Sequence, residues 1–141
     1  SIQRNIVILK KERGFHLVTE EIIDNLPEIE TFHHGILNLF LLHTSASLTI
    51  NENTDHRVQK DLERYFTSLV PEKEHLYEHD DEGLDDMPAH IKSALIGNNL
   101  NIPIKDGFLI MGTWQGIFLC EHRNHGTSRK ILATIIGTQK K

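Results

Sequence analysis

Residues 77–97 read YEHDDEGLDDMPAHIKSALIG. Six carboxylates lie between Glu78 and Asp86, with His79 among them and His90 just beyond. Imidazoles and carboxylates are the side chains that hold divalent metals and move protons near neutral pH. Taken alone, such a run is a solvated acidic loop. Its two histidines lack the i, i+4 spacing of a zinc-protease helix, and no HExxH is present. The stretch is therefore at most half of a site, and other segments must supply the rest.

Ten histidines are dispersed along the chain, more than ordinary usage supplies. His43 closes an apolar run in LFLLHTSAS, and His122 closes another in LCEHRNHG, beside Glu121 and near His125. Strand ends and helix starts are where a rigid scaffold gathers functional groups. If His43, His79, His90 and His122 converge, three of them suffice for zinc and leave a position open to water.

A second chemistry is anion binding. Thr44, Ser45 and Ser47 offer hydroxyls, Lys92 and Ser93 stand near a helix start, and Arg123 and Arg129 flank a glycine turn. Such groups suit a phosphate or carboxylate, although RNHGTSRK alone reads as turn chemistry. Nucleophilic catalysis is poorly served. Ser45 lies two residues from His43 on one strand face, and there is no GxSxG elbow. Cys120 sits in an apolar run and reads as a buried structural thiol.

The elements that must position these groups follow from periodicity. Residues 4–10 alternate weakly as a strand. GFHLVTEEIIDNL holds a short strand and then a helix, with Thr19 as N-cap and a stop near Pro27. Residues 35–53 give the longest strand signal, with an apolar even face and an odd face that turns polar at His43; a bulge or break near Thr44 would alter that register. Val58, Leu62, Phe66 and Leu69 recur at helical spacing, behind Asn53 or Thr54 as cap. MPAHIKSALIG reads as a helix with Pro88 in its first turn, Gly97 at its end, and Ile91, Ala94 and Leu95 as its buried stripe. The last third reads as strands, two of them kinked around Gly112–Gly116, and SRKILATIIGT closes the chain. Strands and helices do not alternate regularly. The pattern predicts an α+β fold of one domain over 1–141, with mostly antiparallel, sandwich-like sheets and a few packed helices.

Composition narrows the function. The net charge is −5 with scattered cations, which argues against nucleic-acid binding. GTWQG lacks the features of a phosphate-binding or dinucleotide loop. The apolar runs, Ile6–Leu9 and Leu39–Leu42, are too short to cross a bilayer. A single cysteine permits no disulfide within the chain and fits a reducing compartment. A soluble cytoplasmic protein is expected, and its modest apolar share, 38 %, leaves room for burial between subunits.

HTSASLTINEN, YEHDDEGLDDMPAHIKSALIG, GTWQGIFLCEH and SRKILATIIG, with GFHLVT before them, resemble in order and spacing the YjbQ-like family of small bacterial and archaeal proteins. The resemblance covers nearly the whole chain. It implies an α+β homotrimer with a site at the subunit interface. It also implies a secondary thiamine-phosphate synthase activity, joining a hydroxymethylpyrimidine diphosphate to a thiazole phosphate with release of pyrophosphate. Metal ligation then falls to His43, His79, His90 and His122, and catalysis to Asp80, Glu121 and His43. The phosphorylated substrate falls to Ser45, Ser47, Lys92, Ser93 and Arg129. Clustered histidines favour zinc as the divalent metal, whereas a diphosphate leaving group suits Mg²⁺ or Mn²⁺ held by carboxylates. Metal-dependent hydrolysis of a small phosphorylated or acyl compound is the alternative chemistry. A trimer that binds a metabolite without turning it over is the alternative class.

Overall fold

A computed structural model describes residues 1–141. The fold is α+β and built from two antiparallel sheets. The chain runs β1 (Ile2–Ile8), β2 (Glu12–Leu17), α1 (Thr19–Asp24), a 3₁₀ turn (Pro27–Thr31), β3 (Phe32–Leu41), β4 (Ala46–Glu52), α2 (His56–Leu69), α3 (Asp86–Ile96), β5 (Asn99–Lys105), β6 (Phe108–Leu109), β7 (Gln115–His125) and β8 (Arg129–Gln139). The larger sheet has the order β1-β8-β3-β5-β6 and the smaller β2-β7-β4.

Alternation explains how the sheets meet. Leu37, Leu39 and Leu41 of β3 and Ile131, Ala133 and Ile135 of β8 point inward. They meet Ala46, Leu48, Ile117 and Leu119 of the small sheet in one core of 19 buried residues. Each fully buried Leu or Ile contributes roughly 1.5–3 kcal/mol. The opposite face of the small sheet carries Phe15, Phe118 and Cys120 and is covered by Leu62 and Phe66 of α2 and Ile96 of α3. Cys120 is buried, as its apolar run suggests.

The long strand signal over 35–53 breaks at Leu42–Ser45, and its halves belong to different sheets. Its apolar even residues before the break, Ile36 and Phe40, lie on the outer face of the large sheet, while the odd leucines fill the core. The break therefore projects His43 from a sheet corner. Three local expectations are corrected. Thr19 caps nothing: its hydroxyl accepts the Ile117 N–H at 2.8 Å, tying α1 to β7. Asp55 caps α2 by accepting the Arg57 N–H, because its carboxylate is nearer the free amides than Asn53 or Thr54. The buried face of α3 is Asp86, Pro88, Ala89 and Lys92, and Leu95 is exposed. Charge contacts beneath the helix outweigh its apolar stripe in setting its rotation.

Candidate metal centre

The acidic loop folds back onto the first turn of α3. Gly83, with φ +107°, makes the reversal, and a Cβ there would meet Asp85 Oδ1. Asp85 and Asp86 then face Arg123 from β7. Asp85 Oδ2 accepts Arg123 Nε at 3.0 Å and the Asn124 N–H at 2.8 Å. Asp86 Oδ1 accepts Arg123 Nη1 at 2.7 Å. Arg123 Nη2 also donates to the Glu82 carbonyl at 2.9 Å. One guanidinium thus clamps the loop and leaves Asp86 Oδ2 pointing away from it.

Asp86 Oδ2 lies 2.7 Å from His79 Nε2 and 3.1 Å from His90 Nε2. These three donor atoms lie within 4.8 Å of one another. The four-residue step from Asp86 to His90 puts both on one face of α3. His90 Nδ1 lies 2.8 Å from the Thr44 carbonyl, which only accepts. The ring must therefore carry a proton at Nδ1. Its Nε2 then faces a carboxylate oxygen with a lone pair unless a second proton or a cation lies between them. A metal-ligating histidine held by a backbone carbonyl through its other nitrogen is the usual supporting arrangement.

Electrostatics agree. The hydrogen bond to Asp86 raises the pKa of His79, helped by the charges of Glu82 and Asp81. Burial pushes the Asp86 carboxyl upward, but the His79 hydrogen bond and the His90 and Arg123 charges outweigh it, and its pKa falls. Asp86 is a carboxylate at neutral pH, with an imidazole on each side.

The other predicted site residues fall in three places. His43 shares an open cleft of about 520 Å³ with His90 and Ser93 but stands outside the donor cluster. Its Nε2 accepts the Lys130 N–H at 2.8 Å, so its proton sits on Nδ1. Burial and the Arg129 charge lower its pKa. Ser93 donates to the Ala46 carbonyl at 3.0 Å. Asp80 is exposed and lines, with His79, Tyr77 and Met87, a second cleft of about 360 Å³ on the other side of the centre.

Glu121 and Arg129 form a bidentate pair inside the sandwich, 0 % and 4 % exposed, with Arg129 Nε 2.7 Å from Glu121 Oε1. Arg129 also donates to the Ser45 carbonyl at 3.3 Å. Buried and mutually satisfied, the pair offers nothing to a substrate and instead fixes the corner from which His43 projects. His122 and Ser47 lie on the other face of the small sheet, with Ser47 Oγ 2.8 Å from His122 Nε2. Both are buried on the helix-covered face, and Lys92 is buried on α3. Adjacent strand residues point to opposite faces, so Glu121 and His122 cannot serve one site. His122 is thereby removed from the metal set, and Ser47 and Lys92 from the phosphate set. Spacing could not single out Asp86 from the other carboxylates of the acidic run as the bridging one, and Arg123, grouped by sequence with Arg129 for an anion, is instead its clamp.

The molecule is an α+β sandwich in which an exposed imidazole, a half-buried imidazole and a buried carboxylate meet at the start of α3. The chain matches the family model described as UPF0047 protein YjbQ-like over residues 4–138, and it belongs to that family. It is 55 % identical over 135 residues to UPF0047 protein YjbQ of Salmonella typhimurium, covering 96 % of this chain and 97 % of that one. With UPF0047 protein YugU of Bacillus subtilis it shares 39 % identity, over 72 % of this chain and 80 % of the relative. A Clostridium acetobutylicum crystal structure described as an uncharacterized conserved protein of the yjbq/upf0047 family superposes with a TM-score of 0.80 at 30 % identity, covering 96 % of this chain and 100 % of that one. A hypothetical protein from Aeropyrum pernix shares the fold, with a TM-score of 0.85 at 22 % identity, over 97 % and 99 % of the two chains.

Proposed function

We propose that His79 Nε2, His90 Nε2 and Asp86 Oδ2 hold a divalent metal, zinc before Mg²⁺ or Mn²⁺, in an enzyme acting on a small phosphorylated compound. The observation that carries this reading is His90, whose Nδ1 proton is committed to Thr44 while its Nε2 faces Asp86. Two imidazoles and one carboxylate suit zinc with open positions for water or substrate. Bound there, the metal would polarise a phosphoryl or acyl oxygen and acidify a water.

The chain's own groups would do the rest. Arg123 holds the Asp86 carboxylate in place through Oδ1. His43, a neutral imidazole with its proton on Nδ1, offers a hydrogen-bond donor in the cleft beside His90. Asp80 and Tyr77 border the cleft on the His79 side. A centre with open positions favours metal-assisted hydrolysis at least as strongly as the thiamine-phosphate synthase-like transfer that the family resemblance implies.

The deciding assay starts from metal-free protein reloaded with zinc, manganese or magnesium. One arm supplies the hydroxymethylpyrimidine diphosphate and thiazole phosphate together. The other supplies single phosphate esters. Thiamine phosphate in the first arm establishes transfer, and free phosphate in the second establishes hydrolysis. About one metal per chain with neither product would leave a metal-dependent binding protein. Failure to bind any of the three metals overturns the reading.

We also infer that the open face of the large sheet assembles with further copies of the chain, as a homotrimer. Ile36 pairs with Ile136 and Phe40 with Leu132 across β3 and β8, and Ile36, Phe40 and Ile136 are exposed on that face.

A further inference from the structure

Between α2 and α3, residues 70–85 form neither helix nor strand. They carry His79, and no residue between Val70 and Asp85 is buried. Segments with so few buried contacts are the first to open. Tyr77 Oη donates to the Pro71 carbonyl at 2.9 Å, a bond within the segment itself. With no apolar packing beneath it, the place of His79 depends on how the two ends of the segment are held.

The two ends meet at Asn124 of β7. Asn124 Oδ1 accepts from Arg13 Nη1 at 3.1 Å, and the Asn124 N–H donates to Asp85 Oδ2 at 2.8 Å. Arg13 Nη1 also donates to Glu72 Oε2 at 2.6 Å. The other guanidinium nitrogens bind α2, Nε at 2.8 Å from Glu63 Oε1 and Nη2 at 3.1 Å from Thr67 Oγ1. The Arg13 and Glu72 side chains are 17 % and 21 % exposed. An ion pair so shielded, on a guanidinium shared among several acceptors, holds its geometry better than a surface pair does. An unbroken chain of hydrogen bonds thus runs from Glu72 through Arg13, Asn124, Asp85 and Arg123 to Asp86. Closing a loop at its neck removes conformational freedom from whatever it carries.

We propose that residues 72–85 form a strap whose neck is closed by Arg13, and that Arg13 is the positioning residue that holds His79 over Asp86. Arg13 bonds to none of His79, Asp86 and His90; it acts through Glu72 and Asn124. An effect on zinc presupposes the metal centre proposed above, whereas the closure of the strap does not.

The test begins with metal-free protein labelled with ¹⁵N. The His79 and His90 rings stand 5.5 Å apart between centroids, so their protons should share a nuclear Overhauser cross-peak in the wild type. Backbone order parameters over residues 73–84 should be near the rigid value of about 0.85. Arg13→Met should abolish the cross-peak and take these order parameters below about 0.6. Glu72→Ala cuts the tie to the strap but leaves Arg13 its bonds to α2 and Asn124, and it should do the same. Thr67→Val removes only a bond between the same guanidinium and α2, and it should change neither. Reloaded with zinc, Arg13→Met and Glu72→Ala should bind about 10-fold more weakly than wild type and Thr67→Val. A wild-type strap that is already mobile overturns the proposal, as do a wild-type cross-peak and wild-type order parameters in both Arg13→Met and Glu72→Ala. Equal loosening in Thr67→Val would mean a general slackening around α2 and overturns it too. Unchanged zinc affinity in a loosened strap overturns the positioning role. If Arg13→Met does not fold, Glu72→Ala decides. If the wild type takes no zinc, the metal reading falls, and the spectra still decide the strap.

Discussion

His79 and His122 illustrate how the same side chain is set to opposite tasks by its surroundings. His79 is exposed, and its pKa is raised by Asp86. Whatever stability it adds to the metal-free protein is present at low pH and fades as pH rises through its folded value. His122 is held down to about 3, first by burial and then by the charges of Lys92, Arg13 and Arg129. The unfolded chain accepts a proton there near pH 6.5 and the folded chain refuses it. Stability is therefore unaffected above that pH. It should fall as pH drops from about 6.5 towards about 3, by about 1.4 kcal/mol per unit. Melting curves between pH 7 and pH 4 check this, and the slope should flatten in His122→Phe if the variant folds. At the centre itself, Asp86→Asn keeps the shape and removes the anionic ligand. Zinc affinity should drop by about 10-fold or more, while Ser93→Ala should leave it unchanged. Titration calorimetry reads both, and equal affinity in Asp86→Asn and wild type would move the metal elsewhere.

At the scale of elements, local pattern located the strands and helices but did not settle how each is turned against its neighbours. The strands of the last third, the helix over MPAHIKSALIG and the break near Thr44 were legible because apolar period and turn residues agreed. The rotation of α3 was not. Its buried face is fixed by Asp85 and Asp86 on Arg123, a contact between segments nearly forty residues apart, and no local period carries it. For the same reason His79 and His90 were readable as a pair, whereas Glu121 and His122 were wrongly grouped until the strand gave each its face. Gly35 and Gly137 show a sheet constraint of another kind. They lie opposite one another on β3 and β8, and a Cβ on Gly137 would strike the His34 carbonyl. Gly137→Val should force the strands apart at a cost of about 1–3 kcal/mol, lowering the melting temperature by roughly 3–10 °C. Differential scanning calorimetry would show it, and an unchanged melting temperature would mean the strands separate freely there.

At the scale of the molecule, the sandwich is covered unevenly. The small sheet has helices on its outer face, and the large sheet has none. Its exposed face instead presents Ile36, Phe40 and Ile136, 40 to 64 % accessible and adjacent in register. Monomers seldom leave such patches uncovered. His43 projects from the sheet corner where β3 ends, so copies meeting on this face would close over the cleft that it shares with His90. Assembly and the site would then be linked. Light scattering of the wild-type protein should give three times the chain mass of 16.2 kDa. Ile136→Lys, which places a charge in the middle of the patch and touches neither the core nor the metal cluster, should yield monomers that still bind zinc. Ligands that reach into the His43 cleft should bind these monomers more weakly, because one wall of the cleft is lost. A wild-type monomer would refute the assembly and leave the apolar face to another partner. Trimeric Ile136→Lys would place the interface on a different surface and separate it from the cleft.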